Sequence, residues 1–163
     1  MRCIRKAAMC DLPIVERLIE IGRCKMRADG NIHQWSNNHP RREVHISDIE
    51  CGACHLIEEN GQPVATFTFL PGPDSTYSYI EDGAWINESA PYYVIHRIAS
   101  AHTVSNVMQS MLEWCNRYTD NIRIDTHRDN RRMRHLLEKH GFRYCGKIYL
   151  EDGNERLAFQ KSL

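Results

Sequence analysis

The chain has 163 residues, 42% hydrophobic and 26% charged, with 21 basic and 21 acidic side chains and a formal net charge of zero. That length suits one domain, and zero net charge argues against nucleic acid as a partner, because neutralising many phosphates needs a basic excess. No stretch is long and apolar enough to span a membrane, and the first ten residues, MRCIRKAAMC, lack a signal-peptide core, so a cytoplasmic location is expected.

Residues 3–7 read as a short opening strand. Asp11 is placed to cap a helix over 12–26, with Pro13 in its first turn and Leu12, Val15, Leu18, Ile19, Gly22 and Met26 at helical spacing. Asp29-Gly30 stops it, and residues 31–40, NIHQWSNNHP, form a polar, turn-rich loop carrying Trp35. Pro40 opens a second helix that runs to about Glu50. Two strands follow, 53–58 and 63–70, joined by Asn60-Gly61, a strong hairpin turn.

A Gly/Pro/Asp loop over 71–76 leads into an aromatic stretch, 77–85, which contains Glu81-Asp82-Gly83. Residues 92–99 are an apolar, β-branched run of strand length. From about Thr103 the spacing turns helical, with Val104, Val107, Met108, Met111, Leu112 and Cys115 on one face. Residues 121–126, NIRIDT, alternate as a strand, and Asp129 or Asn130 can cap a helix that Gly141 ends. Residues 142–150 and 155–161 read as two last strands. The order β-α-α-β-β-β-α-β-α-β-β predicts an α/β domain whose mixed sheet of six or seven strands carries about four helices on both faces.

A buried strand that feeds a helix leaves the helix's first amides aimed beyond the strand end, which makes residues 92–114 a ready anion site. Seven cysteines, an odd and scattered number, are expected as reduced thiols. Cys51-Gly-Ala-Cys54 has metal-ligand spacing but no second pair, so its two readings are a zinc or redox module and an unconnected helix-end and strand thiol. No metal is expected.

The element order, together with residues 94–108 and 129–142, resembles the GNAT acyltransferase superfamily over essentially the whole chain. Asn130 and Glu138-Lys139-His140-Gly141-Phe142 match the family's later pattern well. The resemblance implies that Ile98, Ala99 and Ser100 pair with the pantetheine arm of acetyl-CoA as co-substrate. It also implies that Thr103, Val104, Ser105, Asn106, Val107 and Met108 occupy the pyrophosphate signature, with Asn130 on the cofactor side. The signature glycines are missing: Asn106 and Met108 stand in their places, and Thr103 replaces the usual Gln or Arg. Asparagine tolerates the left-handed backbone region. Met108 must either turn onto the sheet or take up cofactor space. The tyrosine that many members use to protonate the leaving thiolate is Leu137 here.

Amine acetylation needs a base, and His96 sits on the same strand just before the cofactor-pairing stretch. A core histidine bonded across the sheet is its alternative. Glu81 is the second candidate base, in the aromatic setting of Tyr77, Tyr79 and Trp85, with an exposed turn carboxylate as its alternative. By resemblance the 31–40 loop covers the acceptor, which places Asn31, Gln34 and Trp35 against substrate, with an aromatic capping the core as the alternative for Trp35; Trp85 is a further substrate candidate. Asp125 with His127 could pair near a strand end, and the arginines at 128, 131, 132 and 134 read either as phosphate contacts or as a solvated helix face. The expected activity is acetyl transfer from acetyl-CoA to a primary amine of a small molecule or peptide by direct attack, in a chain that is a possible homodimer. The alternative is a degenerate relative that binds an acyl-CoA or a protein partner without turnover.

Overall fold

A computed structural model describes residues 1–101 and 104–163. Seven strands form one sheet in the order β1-β2-β3-β4-β5-β7-β6. They are β1 (Arg2–Lys6), β2 (Cys54–Glu59), β3 (Gln62–Pro71), β4 (Tyr93–Ser100), β5 (Asn121–Thr126), β6 (Arg143–Tyr149) and β7 (Glu155–Ser162). Four helices, α1 (Leu12–Ala28), α2 (Arg42–Glu50), α3 (Val107–Cys115) and α4 (Arg131–Lys139), complete the order. No helix among the described residues is long and apolar enough to cross a membrane.

Strand alternation sorts the core onto two faces. Ile57, Phe67, Phe69, Ile95, Ile122 and Ile124 point to the face covered by α3 and α4 through Met111, Leu112, Cys115 and Leu137. On the other face, Leu56, Cys54 and Ala99 meet α1 and α2 through Leu18, Ile19, Val15 and Ile49. The rest of that face is closed by the long segment between β3 and β4, whose Tyr77 and Trp85 pack with Val94, Ile148 and Ala158.

The local signals in the sequence form as their chemistry requires. Asn60 and Gly61 both take positive φ, 52° and 79°, which the hairpin turn demands. Gly141, at φ 85°, ends α4, and the Phe142 amide returns to the Leu137 carbonyl at 3.0 Å. Asp11, expected as a helix cap, makes no cap bond to α1. Its carboxylate instead accepts two bonds from Arg5, at 2.7 and 3.0 Å, and the Ala8 amide at 2.8 Å. The helix expected from Thr103 begins only at Val107, because Asn106 sits at φ 57° in the left-handed region and interrupts the turn.

The feature that shapes the molecule lies in β4. Thr66 faces Ala99 and Thr68 faces His96, so two residues of β4, Arg97 and Ile98, oppose the single Phe67 of β3. Arg97 adopts φ 52°, a conformation most side chains avoid, and its guanidinium reaches the buried Asp48 carboxylate at 2.7 and 2.8 Å. The Thr68 hydroxyl donates to the same carboxylate at 3.0 Å. Beyond the first two residue pairs, Tyr93 with Ile122 and Val94 with Arg123, β4 and β5 no longer pair, although both strands continue. The sheet therefore opens into a cleft between two parallel strands.

Asp48→Ala should leave the bulge's guanidinium without its partner and cost about 3 kcal/mol in urea unfolding, as breaking a buried ion pair does. A loss within 0.5 kcal/mol would show that the bulge does not depend on this carboxylate.

Candidate active site

The cleft opens into contiguous hollows. One, about 760 Å³, is bounded by His96, Arg97 and Ile98 of β4 and by Ile124, Asp125 and Thr126 of β5. A second, about 410 Å³, shares Met26, Ile98, Asn130 and Met133 with it and continues past Ala99 and Ser100 to Val107 and Met108. A third, about 620 Å³, adds Val104 and Asn106 at the start of α3.

The second and third hollows suit a long anionic ligand. Beyond Val94 the edge of β4 that faces β5 has no ladder partner, so its polar backbone atoms are available to an extended chain. At the far end the first turn of α3 presents amides that no helix carbonyl can satisfy. Lys25 bonds the Ser100 carbonyl at 2.7 Å and the Ala101 carbonyl at 3.1 Å, and burial, aided by Arg132, pushes its ammonium below its ordinary range. Arg132 pairs with Asp29 at 3.0 Å on the groove's rim. Ile98, Ala99, Ser100, Val104, Asn106, Val107, Met108 and Asn130 all border this groove. Ser105 is exposed and borders none of the three hollows, and Thr103 lies outside the described residues.

Asn106 supplies by side-chain tolerance the left-handed backbone that glycine would supply by lacking one. Met108 is 5% exposed and packs in the main core with Met111 and Leu112 where it borders the groove. Asn130 caps α4, accepting the Met133 amide at 3.1 Å and donating to Gln34 at 3.0 Å. Leu137 is fully buried in the core, and no hydroxyl reaches the groove from that position.

The large hollow holds the titratable groups. His96 Nε2 lies 3.0 Å from Asp74 Oδ2, and Nδ1 lies 3.7 Å from Asp125 Oδ2. Burial would raise the Asp74 carboxyl, but bonds from His96 and from the Thr76 hydroxyl and amide outweigh it and hold it at about 2. An ionised carboxylate only accepts, so in the neutral ring the proton of that bond sits on Nε2 and Nδ1 carries the lone pair. Asp125 Oδ2 also accepts the Tyr77 hydroxyl at 2.7 Å. Tyr77 itself stays neutral, pushed well above its ordinary value by burial and by Asp125. Asp74 is the partner that the sequence did not suggest. It stands 22 residues from His96 in a loop whose only local signal is an Asx turn to Thr76.

Other expected residues are placed elsewhere. Glu81 lies along β6: its backbone exchanges two 2.8 Å bonds with Lys147, and its carboxylate takes the Tyr149 hydroxyl. A Cβ on Gly83 would stand 1.9 Å from the Cys145 carbonyl, so this close approach of the 81–83 segment to β6 requires glycine. Glu81 therefore stands apart from the hollow that holds His96. Trp85 is a core residue whose indole donates to the Tyr77 carbonyl at 2.9 Å and whose ring meets Arg123 at 4.1 Å. Of the loop residues, Trp35 and Gln34 line the large hollow while Asn31 borders the groove. Gln34 Oε1 gathers Asn31 at 2.9 Å as well as Asn130, so the loop is tied to the start of α4. Asp125 and His127 do not pair, since His127 Nδ1 accepts the Asp129 amide at 3.1 Å.

Among the described residues no cluster of three His, Cys, Asp or Glu is placed to hold a metal. Cys51 is exposed after α2, whereas Cys54 is buried on β2 and pushed up to about 11 by that burial.

Comparison with known proteins bears on the same elements. The sequence model of the acetyltransferase (GNAT) family matches residues 16–142. A GNAT-family acetyltransferase of Streptococcus agalactiae is 30% identical, with 99% of this chain and 95% of that one covered and a TM-score of 0.90. One from Listeria monocytogenes is 19% identical over 99% and 95% of the two chains, with a TM-score of 0.72. The aminoglycoside acetyltransferase AAC(6')-Ib, solved with coenzyme A and kanamycin, shares the fold at 17% identity and a TM-score of 0.66, over 99% and 95%. No curated protein matches the sequence significantly.

Met108→Gly should not open the groove but hollow the core, destabilising the protein by about 3–5 kcal/mol for the lost side chain and the helical glycine. Calorimetry should show no gain in acetyl-CoA affinity, and tighter binding would mean that the side chain obstructs the groove. Asp74→Asn removes a carboxylate held below its ordinary 3.8. Its contribution is complete above that value and disappears as pH falls towards about 2. The variant should lose about 1–2 kcal/mol at pH 7. Its stability should then fall less steeply between pH 4 and 2 than the wild type's, a difference that urea unfolding across that range would detect.

Proposed function

Because the chain belongs to the acetyltransferase (GNAT) family and is an acyltransferase, we propose that it moves an acetyl group from acetyl-CoA to a primary amine by direct attack in a ternary complex. The observation that carries this reading is the His96–Asp74 pair on the wall of the large hollow, two residues before Ile98, which the large hollow shares with the groove.

The residues present suit acetyl-CoA as co-substrate. The unpaired β4 edge at Ile98–Ser100 supports the pantetheine arm. The left-handed Asn106, the α3 amides and the cations Lys25 and Arg132 favour the pyrophosphate. The thioester supplies an activated acetyl carbonyl. Solved relatives that hold coenzyme A or acetyl-CoA, one of them with kanamycin, agree with this reading.

The chain's own groups then divide the work. An amine approaching from the large hollow meets Asp125 and His96 Nδ1 together. Asp125 attracts it as an ammonium, and Nδ1 takes its proton to free the nitrogen lone pair. The amine nitrogen bonds to the carbonyl carbon, the carbon–sulfur bond breaks, and the second proton of the former ammonium leaves the nitrogen for solvent. The proton stored on His96 is then available to the departing thiolate, which has no tyrosine at position 137 to draw on. Asp74 keeps the ring in the one tautomer that leaves Nδ1 free.

Replacing His96 with Ala should lower kcat by about a hundredfold or more, the usual worth of a positioned general base, while acetyl-CoA affinity measured by calorimetry changes little. Retention of kcat within a factor of three would remove His96 from the mechanism. Failure of the wild-type protein to bind acetyl-CoA at millimolar concentration would overturn the reading as a whole.

A further inference from the structure

Arg156 is a buried charge that the chemistry above does not use. It lies on β7, with Leu157 opposite Thr126 and Ala158 opposite Asp125, and it is 6% exposed on the wall of the large hollow. The other arginine from the sheet that lines this hollow, Arg97, is neutralised by Asp48. Arg123, equally buried, is stacked between Trp85 and Tyr92 at 4.1 and 3.8 Å and borders none of the three hollows. Arg156 has neither arrangement. Its two hydrogen bonds go to uncharged carbonyls, those of Glu155 at 2.9 Å and Gln34 at 3.2 Å. Among the described residues no carboxylate comes within 4.0 Å of it.

A buried guanidinium without a counter-charge is costly unless something completes it, and its planar fork matches a carboxylate or phosphate. The two acids whose charge Arg156 feels, Asp125 and Asp152, are committed elsewhere. Asp125 holds Tyr77 and faces His96, while Asp152 is exposed and bonds the amide and side chain of Asn154 at 2.9 and 2.7 Å within the β6–β7 turn. The field of Arg156 is felt across the hollow. Together with burial it helps hold His127 below the ordinary histidine range, and it acts on His39 behind burial and Arg97. The hollow is thus bipolar, with carboxylates beside His96 at one end and a free guanidinium on another wall.

We propose that Arg156 is the anion-binding residue of the acceptor subsite, so that the preferred acceptor is a primary amine that also carries a carboxylate or phosphate; the inference rests on the acceptor reading above. The amine is drawn to Asp125 and His96 and the anion to Arg156, which fixes the acceptor at two points. A polycationic amine would set one of its charges against the guanidinium.

The test is a thiol-release assay with acetyl-CoA and primary amines in matched pairs, amino acids against their carboxamides and glucosamine 6-phosphate against glucosamine. Wild type should favour the anionic member of at least one pair by about tenfold or more in kcat/KM, as expected for one charge-assisted contact, and the pair that responds separates carboxylate from phosphate. In Arg156→Gln the ratio of anionic to neutral should collapse towards one, and Arg156→Lys should restore part of it. Should Arg156→Gln not fold, product inhibition of the wild type gives the same reading. The N-acetylated anionic product should compete with acceptor, and its neutral analogue should not. Turnover of the neutral members with no preference, or a ratio unchanged in Arg156→Gln, overturns this inference alone. No thiol release from any pair overturns the acetyl-transfer reading and this inference with it.

Discussion

The ion pair between Asp48 and Arg97 sits at the point from which the site is built. Arg97 occupies a backbone region that costs an ordinary side chain energy, and a buried carboxylate on α2, shared with Thr68, holds it there. The extra residue reverses the alternation of β4. Ile95 faces α3 and α4 before the bulge. Ile98 joins the same face after it, and Ala99 turns to α1. Pairing with β5 has already ended after two residues, before the bulge is reached. Sheet closure is sacrificed at one seam, and the opened seam becomes the place where two ligands can meet.

Around that seam the protein uses rigid elements rather than long loops. His96 precedes the bulge and is fixed by Asp74. Ile98 to Ser100 follow it and present a free edge. Asp125 comes from the facing strand, and Asn130 and Gln34 tie α4 to the loop after α1. The bulge lies between His96 and Ala99 on one strand, so a shift in it moves His96 and the free edge at Ile98–Ser100 together.

The residues at the family's pyrophosphate signature depart from its pattern. Two glycines are absent, and the residues in their places behave differently. Asn106 adopts the left-handed conformation, and Met108 places its bulk among Met111, Leu112 and the sheet. What the motif requires is a backbone path with room beside it, and glycine is one way to provide it. Leu137 is different. A leucine buried in the core offers no phenolic proton.

Local chemistry made much of the chain legible from its sequence. The hairpin at Asn60-Gly61, the stop at Gly141, the cap at Asn130 and the strand before α3 each depend on neighbours a few residues away, so their residues announce them. His96 drew notice in the sequence from its place on the strand two residues before Ile98. Partners distant in the chain were not. Asp74 reaches His96 across 22 positions, and Asp48 reaches Arg97 across 49. Glu81 looked like a base because aromatic residues surround it in sequence, but Tyr77 and Trp85 turn into the core while its own segment lies along β6. Arg156 reads as one polar position in an alternating strand until both faces of that strand are known to be covered. Sequence by itself determined the elements and their order, because backbone propensity and periodicity act over short spans. Tertiary structure alone decided which charges are paired and which are left free, because burial and distance belong to the folded chain.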